Sequence, residues 1–121
     1  MYIKEFSQKT GLSIDTLRFY EQEALLFPKR NANNYRIYTE EDFCWVQLLL
    51  KMKQTGMTIE NIKKFAELQV QGVDSLPERI VALENHIEKL HEQQNNLTQT
   101  IAFVNQKISG YRKKITTAEI E

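Results

Sequence analysis

The sequence predicts a mainly α chain, a winged helix-turn-helix head followed by a long coiled-coil dimerisation helix. Three observations predict it. Two short amphipathic stretches near the N-terminus are separated by Gly11. A basic, Asn-rich decapeptide at 29–38 is flanked by strand-forming residues. From residue 76 the apolar positions alternate by four and three almost to the end.

A chain of 121 residues has room for one compact domain and one extended element. With 41% hydrophobic and 26% charged residues it is not a disordered chain. No apolar run approaches the roughly 20 residues of a membrane helix, and the start Met1-Tyr2-Ile3-Lys4-Glu5 lacks the apolar stretch of a secretory signal. The single cysteine makes no internal disulfide, so nothing points outside the cytoplasm. Lys+Arg and Asp+Glu each total 16, so only local patches can argue for a nucleic-acid partner.

The head is expected over 1–72, with helices at about 3–10, 14–24, 40–55 and 59–71. Ile3 and Phe6 share one face of the first helix, which Gly11 stops. Ser13 is a natural N-cap for the second, which carries Ile14, Leu17 and Phe19-Tyr20 and ends before Pro28. Helix, glycine turn and helix within about 20 residues is the layout of a helix-turn-helix. Across 29–38, Asn31, Asn33 and Asn34 favour a turn between strand-friendly Tyr35, Ile37 and Tyr38 and the preceding Lys29-Arg30. This reads as a small hairpin, or wing, with no acidic residue in it.

Thr39 with Asp42 forms a capping-box pattern before a third helix, lined by Phe43, Val46 and Leu50 and widened by Trp45, Leu48, Leu49 and Met52. Thr58 caps a fourth, with Ile59, Ile62, Phe65 and Ala66 inward. Ser75, Pro77 and Glu78 open the fifth, with Ser75 as its cap.

The fifth helix is expected over 75–115, followed by a tail at 116–121. Its dimerisation seam is Leu76, Ile80, Leu83, Ile87, Leu90, Gln94, Leu97, Ile101, Val104 and Ile108, extended by Tyr111 and Ile115. Gln94 is its one polar member. An apolar repeat sustained for more than five heptads marks a coiled coil. A helix about 60 Å long cannot bury its stripe against so small a head, so a second copy is expected. Gln94 is read as a register-setting residue near the two-fold. Off the seam, Val81 and Ala82 lie about as far from Gln93 as Ala102 and Phe103 do, which suits an antiparallel pair. Ile at one seam position and Leu at the other suits a parallel pair equally.

Leu17-Arg18-Phe19-Tyr20-Glu21, followed by Leu25-Leu26, Pro28 and Arg30 and then Asn34-Tyr35-Arg36-Ile37-Tyr38, resembles the MerR family of transcription regulators. The resemblance continues through Thr39-Glu40-Glu41-Asp42 and covers essentially the whole chain. It implies a bacterial regulator whose long helices pair antiparallel and place two winged heads on one palindromic operator. It also implies activation by distorting an overlong promoter spacer for RNA polymerase, a use of DNA deformability. The family usually has Gly where Ala24 and Asn34 stand. Asn tolerates a positive φ, but Ala would lose about 1–2 kcal/mol in that conformation, so a differently shaped turn is expected at Ala24.

In this reading Arg18 contacts a base edge, since Arg reads guanine bidentately in the major groove. Thr16 and Tyr20, within one turn of it, reach bases or phosphates. Tyr35 and Arg36 with Lys29 and Arg30 grip the backbone from the wing, and Lys53 adds a phosphate contact. Metal sensors of the family carry cysteines after the coil; none stands there, and only six residues follow Ile115, so no metal, cofactor or appended effector domain is expected. His86 and His91, five apart, cannot share a metal from one helix and are read as solvated flanks. Cys44 is either a partly buried packing residue or a thiol sensor, although the aldehyde-responsive subgroup would carry its cysteine nearer Lys51. The residues do not identify an effector. An enzyme is not expected, because neither a phosphate loop nor paired metal-ligand spacing nor a nucleophile beside a base is present in sequence. The competing readings are simple repression and a coiled-coil interaction protein without DNA binding.

Overall fold

The computed structural model describes residues 1–120, with side chains to residue 118. It is mainly α, five helices and a two-stranded hairpin, and comprises two compact units, Met1–Ala82 and the chain from Leu83 onward.

In the first unit α1 (Ile3–Thr10) and α2 (Ile14–Gln22) are joined by Gly11, whose φ of 76° reverses the chain. The Ser13 hydroxyl caps α2 by accepting from the Thr16 amide at 3.1 Å. α2 ends two residues earlier than expected. The Leu25 amide bonds the Tyr20 carbonyl at 2.8 Å and the Ala24 amide bonds that of Glu21 at 3.1 Å, a Schellman closure. That closure needs a left-handed residue at Ala24, and Ala24 adopts φ 59°. The sequence expectation of a differently shaped turn is therefore corrected: the closure is kept, and Ala24 is strained in it.

The wing pairs β1 (Lys29–Arg30) with β2 (Arg36–Ile37), antiparallel, with Lys29 opposite Ile37 and Arg30 opposite Arg36. Asn31 organises its tip. Its Oδ1 accepts from the amides of Asn33 and Tyr35, both at 3.0 Å, and Asn34 turns the chain at φ 66°. At the far end, Tyr38 exchanges two backbone hydrogen bonds with Met1.

α3 (Glu40–Gln54) opens on a complete capping box between Thr39 and Asp42, and α4 (Ile59–Val70) on a Thr58 cap. The buried stripe of α3 is Trp45, Val46, Leu49 and Met52; Phe43, Leu48 and Leu50 are half-buried flanks. Trp45 sets this rotation. Its indole donates to the Leu25 carbonyl at 2.6 Å, and its ring stacks on Phe65 of α4. Phe6, Leu17, Tyr20, Leu25, Leu26, Tyr38, Ile62 and Ala66 complete the core.

Ser75 does not cap α5 (Leu76–Ile120). The chain enters α5 from a 3-10 turn, Gly72–Ser75, in helical conformation, and the buried Ser75 hydroxyl instead donates to the carbonyls of Leu68 and Gly72. Arg79 donates to Ser75 Oγ and to the Gly72 carbonyl, at 3.0 and 2.6 Å. These bonds join the start of α5 to α4, so the first unit reaches past residue 72 to Ala82. α5 continues through Gly110 and through residues 116–120, which are helical rather than a tail; residue 121 lies outside the described residues. In the second unit Ile87, Leu97, Ile101, Val104, Ile108, Tyr111 and Ile115 are all exposed in the single chain. His91 is exposed, but His86, read as solvated, is buried.

Candidate nucleic-acid interface

α2 buries Leu17 and Tyr20 and turns Arg18 and Phe19 outward. Positions three apart share a helix face, so Tyr20 follows Leu17 into the core, where it is 4% exposed. Tyr20 is therefore corrected from a DNA contact to a packing residue. Lys53, exposed on α3, lies over the Tyr20 ring at 5.7 Å from its centroid. Thr16 is half-buried, with its hydroxyl 2.8 Å from that of Ser13.

Between α2 and the wing lies an open groove of about 450 Å³ lined by Tyr2, Ile3, Arg18, Arg30, Asn34, Tyr35 and Arg36. Four of the expected contact residues thus come together: Arg18, Arg30, Tyr35 and Arg36. Tyr35 is 61% exposed and meets Tyr2 edge-on, with ring centroids 6.3 Å apart. Lys29 is exposed on β1 and Lys53 on α3, Thr16 is half-buried on α2, and none of the three lines the groove.

The groove's arginines are not all free. Glu21 of α2 accepts from Arg36 Nε at 2.5 Å and lies 3.3 Å from an Arg30 terminal nitrogen. Arg30 also donates to the Asn34 carbonyl at 3.0 Å. Arg36, expected to point at phosphate, is instead turned toward α2. Sequence reasoning quoted Glu21 within its pentad and gave it no role. An acid in the last turn of a helix, where the macrodipole disfavours it, was the available signal. Tyr2 was missed because nothing in helical periodicity distinguishes an N-terminal aromatic from a core residue.

Cys44 is exposed on α3, not partly buried. It stands one position before the first residue of the buried stripe, Trp45, and faces out. Among the described residues no group of three or more His, Cys, Asp or Glu side chains could hold a metal ion, and no helix is long and apolar enough to cross a membrane.

Residues 1–69 match the model of MerR HTH family regulatory proteins, and residues 45–106 match that of MerR, DNA binding. An uncharacterized HTH-type transcriptional regulator of Haemophilus influenzae is 36% identical over 109 residues, covering 88% of this chain and 80% of that protein. The crystal structure of HiNmlR, a MerR family regulator lacking the sensor domain and bound to promoter DNA, superposes with a TM-score of 0.78 at 34% identity, over 93% of this chain and 90% of that one. A MerR family transcriptional regulator from Listeria monocytogenes gives 0.84 at 28% identity, over 98% and 91%.

Proposed function

The chain belongs to the MerR family of DNA-binding transcription regulators, and from that premise we propose that it binds a palindromic operator as a homodimer and acts on RNA polymerase by distorting an overlong promoter spacer. One observation carries the reading: Arg18 on the outer face of α2 opens into the same groove as the wing's Tyr35 and its two arginines. A recognition helix reads base edges while flanking groups set register on phosphates, so specificity and grip must lie side by side. Arg18 is the base-reading residue. Thr16, Tyr35, Lys29 and Lys53 contact backbone, and Arg30 and Arg36 hold the wing. The solved relative without a sensor domain is bound to promoter DNA, which supports the same docking here.

The second copy comes from α5. Its seam, from Leu76 through Ile80, Leu83, Ile87, Leu90, Gln94, Leu97 and Ile101 to Val104 and Ile108, is largely exposed in one chain, a stripe that water disfavours. Such a protein works in the cytoplasm on the nucleoid. Cys44 is accessible to reagents rather than packed, and a sensing role would be marked by alkylation that alters the DNA response of the wild type but not of Cys44→Ser.

Footprinting on the promoter of its own operon tests the whole reading. Protection between overlong-spaced promoter elements, with hypersensitivity at the centre, is expected. Protection overlapping the elements without central hypersensitivity would instead indicate plain repression, and no protection at all would refute DNA binding there.

A further inference from the structure

We propose that Glu21 is a positioning residue that fixes the wing against the recognition helix and withholds Arg30 and Arg36 from non-specific phosphates. The proposal rests on the DNA-binding reading above.

The hairpin register sets Arg30 directly opposite Arg36. Like charges in that relation destabilise a hairpin. Glu21 resolves the conflict from outside the hairpin, with Oε1 toward Arg30 and Oε2 toward Arg36. All three side chains are partly shielded, at 24%, 38% and 27% exposure for Glu21, Arg30 and Arg36, so the attraction is less screened than at an open surface. Planar guanidinium groups suit carboxylate and phosphate oxygens alike. Each arginine keeps N–H donors that Glu21 does not occupy, but its charge is already partly neutralised by that carboxylate, so a phosphate gains less from meeting it.

Two consequences follow. The wing is held at a set distance from Arg18, across the groove they share. The two arginines also contribute little to binding an arbitrary duplex, whose affinity comes almost wholly from phosphate neutralisation. Specificity rises because non-specific binding is weakened.

Glu21→Gln keeps the shape and removes the charge. The probes are a random-sequence duplex of about 30 bp and a duplex of the same length enriched from a random pool by the wild-type protein, titrated at several salt concentrations. The variant should bind the random duplex more tightly. Its plot of log K against log salt should steepen by about 0.9 for each phosphate gained, and the ratio of enriched to random affinity should fall. Glu21→Asp, which restores the charge, should return the slope to the wild-type value. If Glu21 only stabilised the wing, affinity for both duplexes would drop and the slope would flatten; that result, or an unchanged slope in a folded variant, overturns the proposal.

Should Glu21→Gln fail to fold, Arg36→Gln decides. With its charge already met by Glu21, Arg36 releases no counterion of its own on binding, so its loss should leave the random-duplex slope nearly unchanged. A slope shallower by about 0.9 would refute the withholding. Wild-type protein that binds neither duplex would sink the DNA-binding reading itself; normal wild-type binding with the wrong mutant slopes sinks only the role of Glu21.

Discussion

The ring of Tyr38 lies flat on that of Phe6, centroids 4.3 Å apart and planes 10° from parallel. The stack joins the end of the wing to α1 inside the core, where Tyr38 is 1% exposed. Its hydroxyl is buried and finds no hydrogen-bond partner among the described residues.

Tyr38→Phe should therefore stabilise the protein. The stack is kept and an unsatisfied buried hydroxyl, which costs about 1–3 kcal/mol, is removed. A gain of about 1 kcal/mol is expected, read as a higher urea midpoint at unchanged slope. A loss of stability would mean the hydroxyl is bonded after all.

The same residue sets a pH dependence. Burial pushes the Tyr38 hydroxyl above its ordinary value of 10.0, while Arg36 pulls it partly back. The folded protein thus keeps this proton after the unfolded chain has lost it. The contribution is fully present below pH 10 and is lost as pH rises from the ordinary value through the raised one. Urea denaturation at stepped alkaline pH should show that decline in the wild type, and a smaller one in Tyr38→Phe.

Ala24→Gly should also stabilise. A left-handed alanine costs about 1–2 kcal/mol, and the added flexibility of glycine in the unfolded chain takes back part of that. A net gain of about 0.5–1 kcal/mol is expected by thermal or urea denaturation. A destabilised variant would show that Ala24 is relaxed at φ 59°.

Arg18→Ala should weaken binding to the enriched duplex by about 1–3 kcal/mol and relax one base position in each half-site. Re-selection from a random pool checks this. An unchanged consensus at unchanged affinity would remove Arg18 from base reading.

Leu97→Asp and Ile101→Asp should each abolish the proposed dimerisation, because both side chains are exposed in the single chain and lie on the seam assigned to the pair. Sedimentation at micromolar concentration should give a monomer with its helical head intact. Loss of the second half-site should cost about a hundredfold in operator affinity. A variant that stays dimeric would place the seam elsewhere.

Local chemistry was readable wherever one residue's side chain serves its own neighbourhood. Ser13, Thr39 with Asp42, and Thr58 cap the helices that their spacing announces, because a cap needs only the next three amides. Asn31 and Asn34 turn the wing for the same reason. The four-three repeat marks α5 over its length, since periodicity is a property of the helix and not of what it meets. Ser75 misled because a cap signature assumes a break before the helix, and the preceding 3-10 turn leaves no free amides there.

The groove was only half legible. The family resemblance supplied Arg18, Arg30, Tyr35 and Arg36 as candidates, yet not which of them point outward. Tyr20 went into the core because Leu17 and Trp45 define the buried side of α2 and α3, and that is a matter of packing between helices. Glu21 meets Arg36 across fifteen residues of chain, a distance at which sequence spacing carries no geometric information. Short-range rules therefore determined the helices, the turn and the repeat from the residues alone. Which charges are free for a partner was decided when folding brought α2 beneath the wing, because an ion pair depends on separation in space.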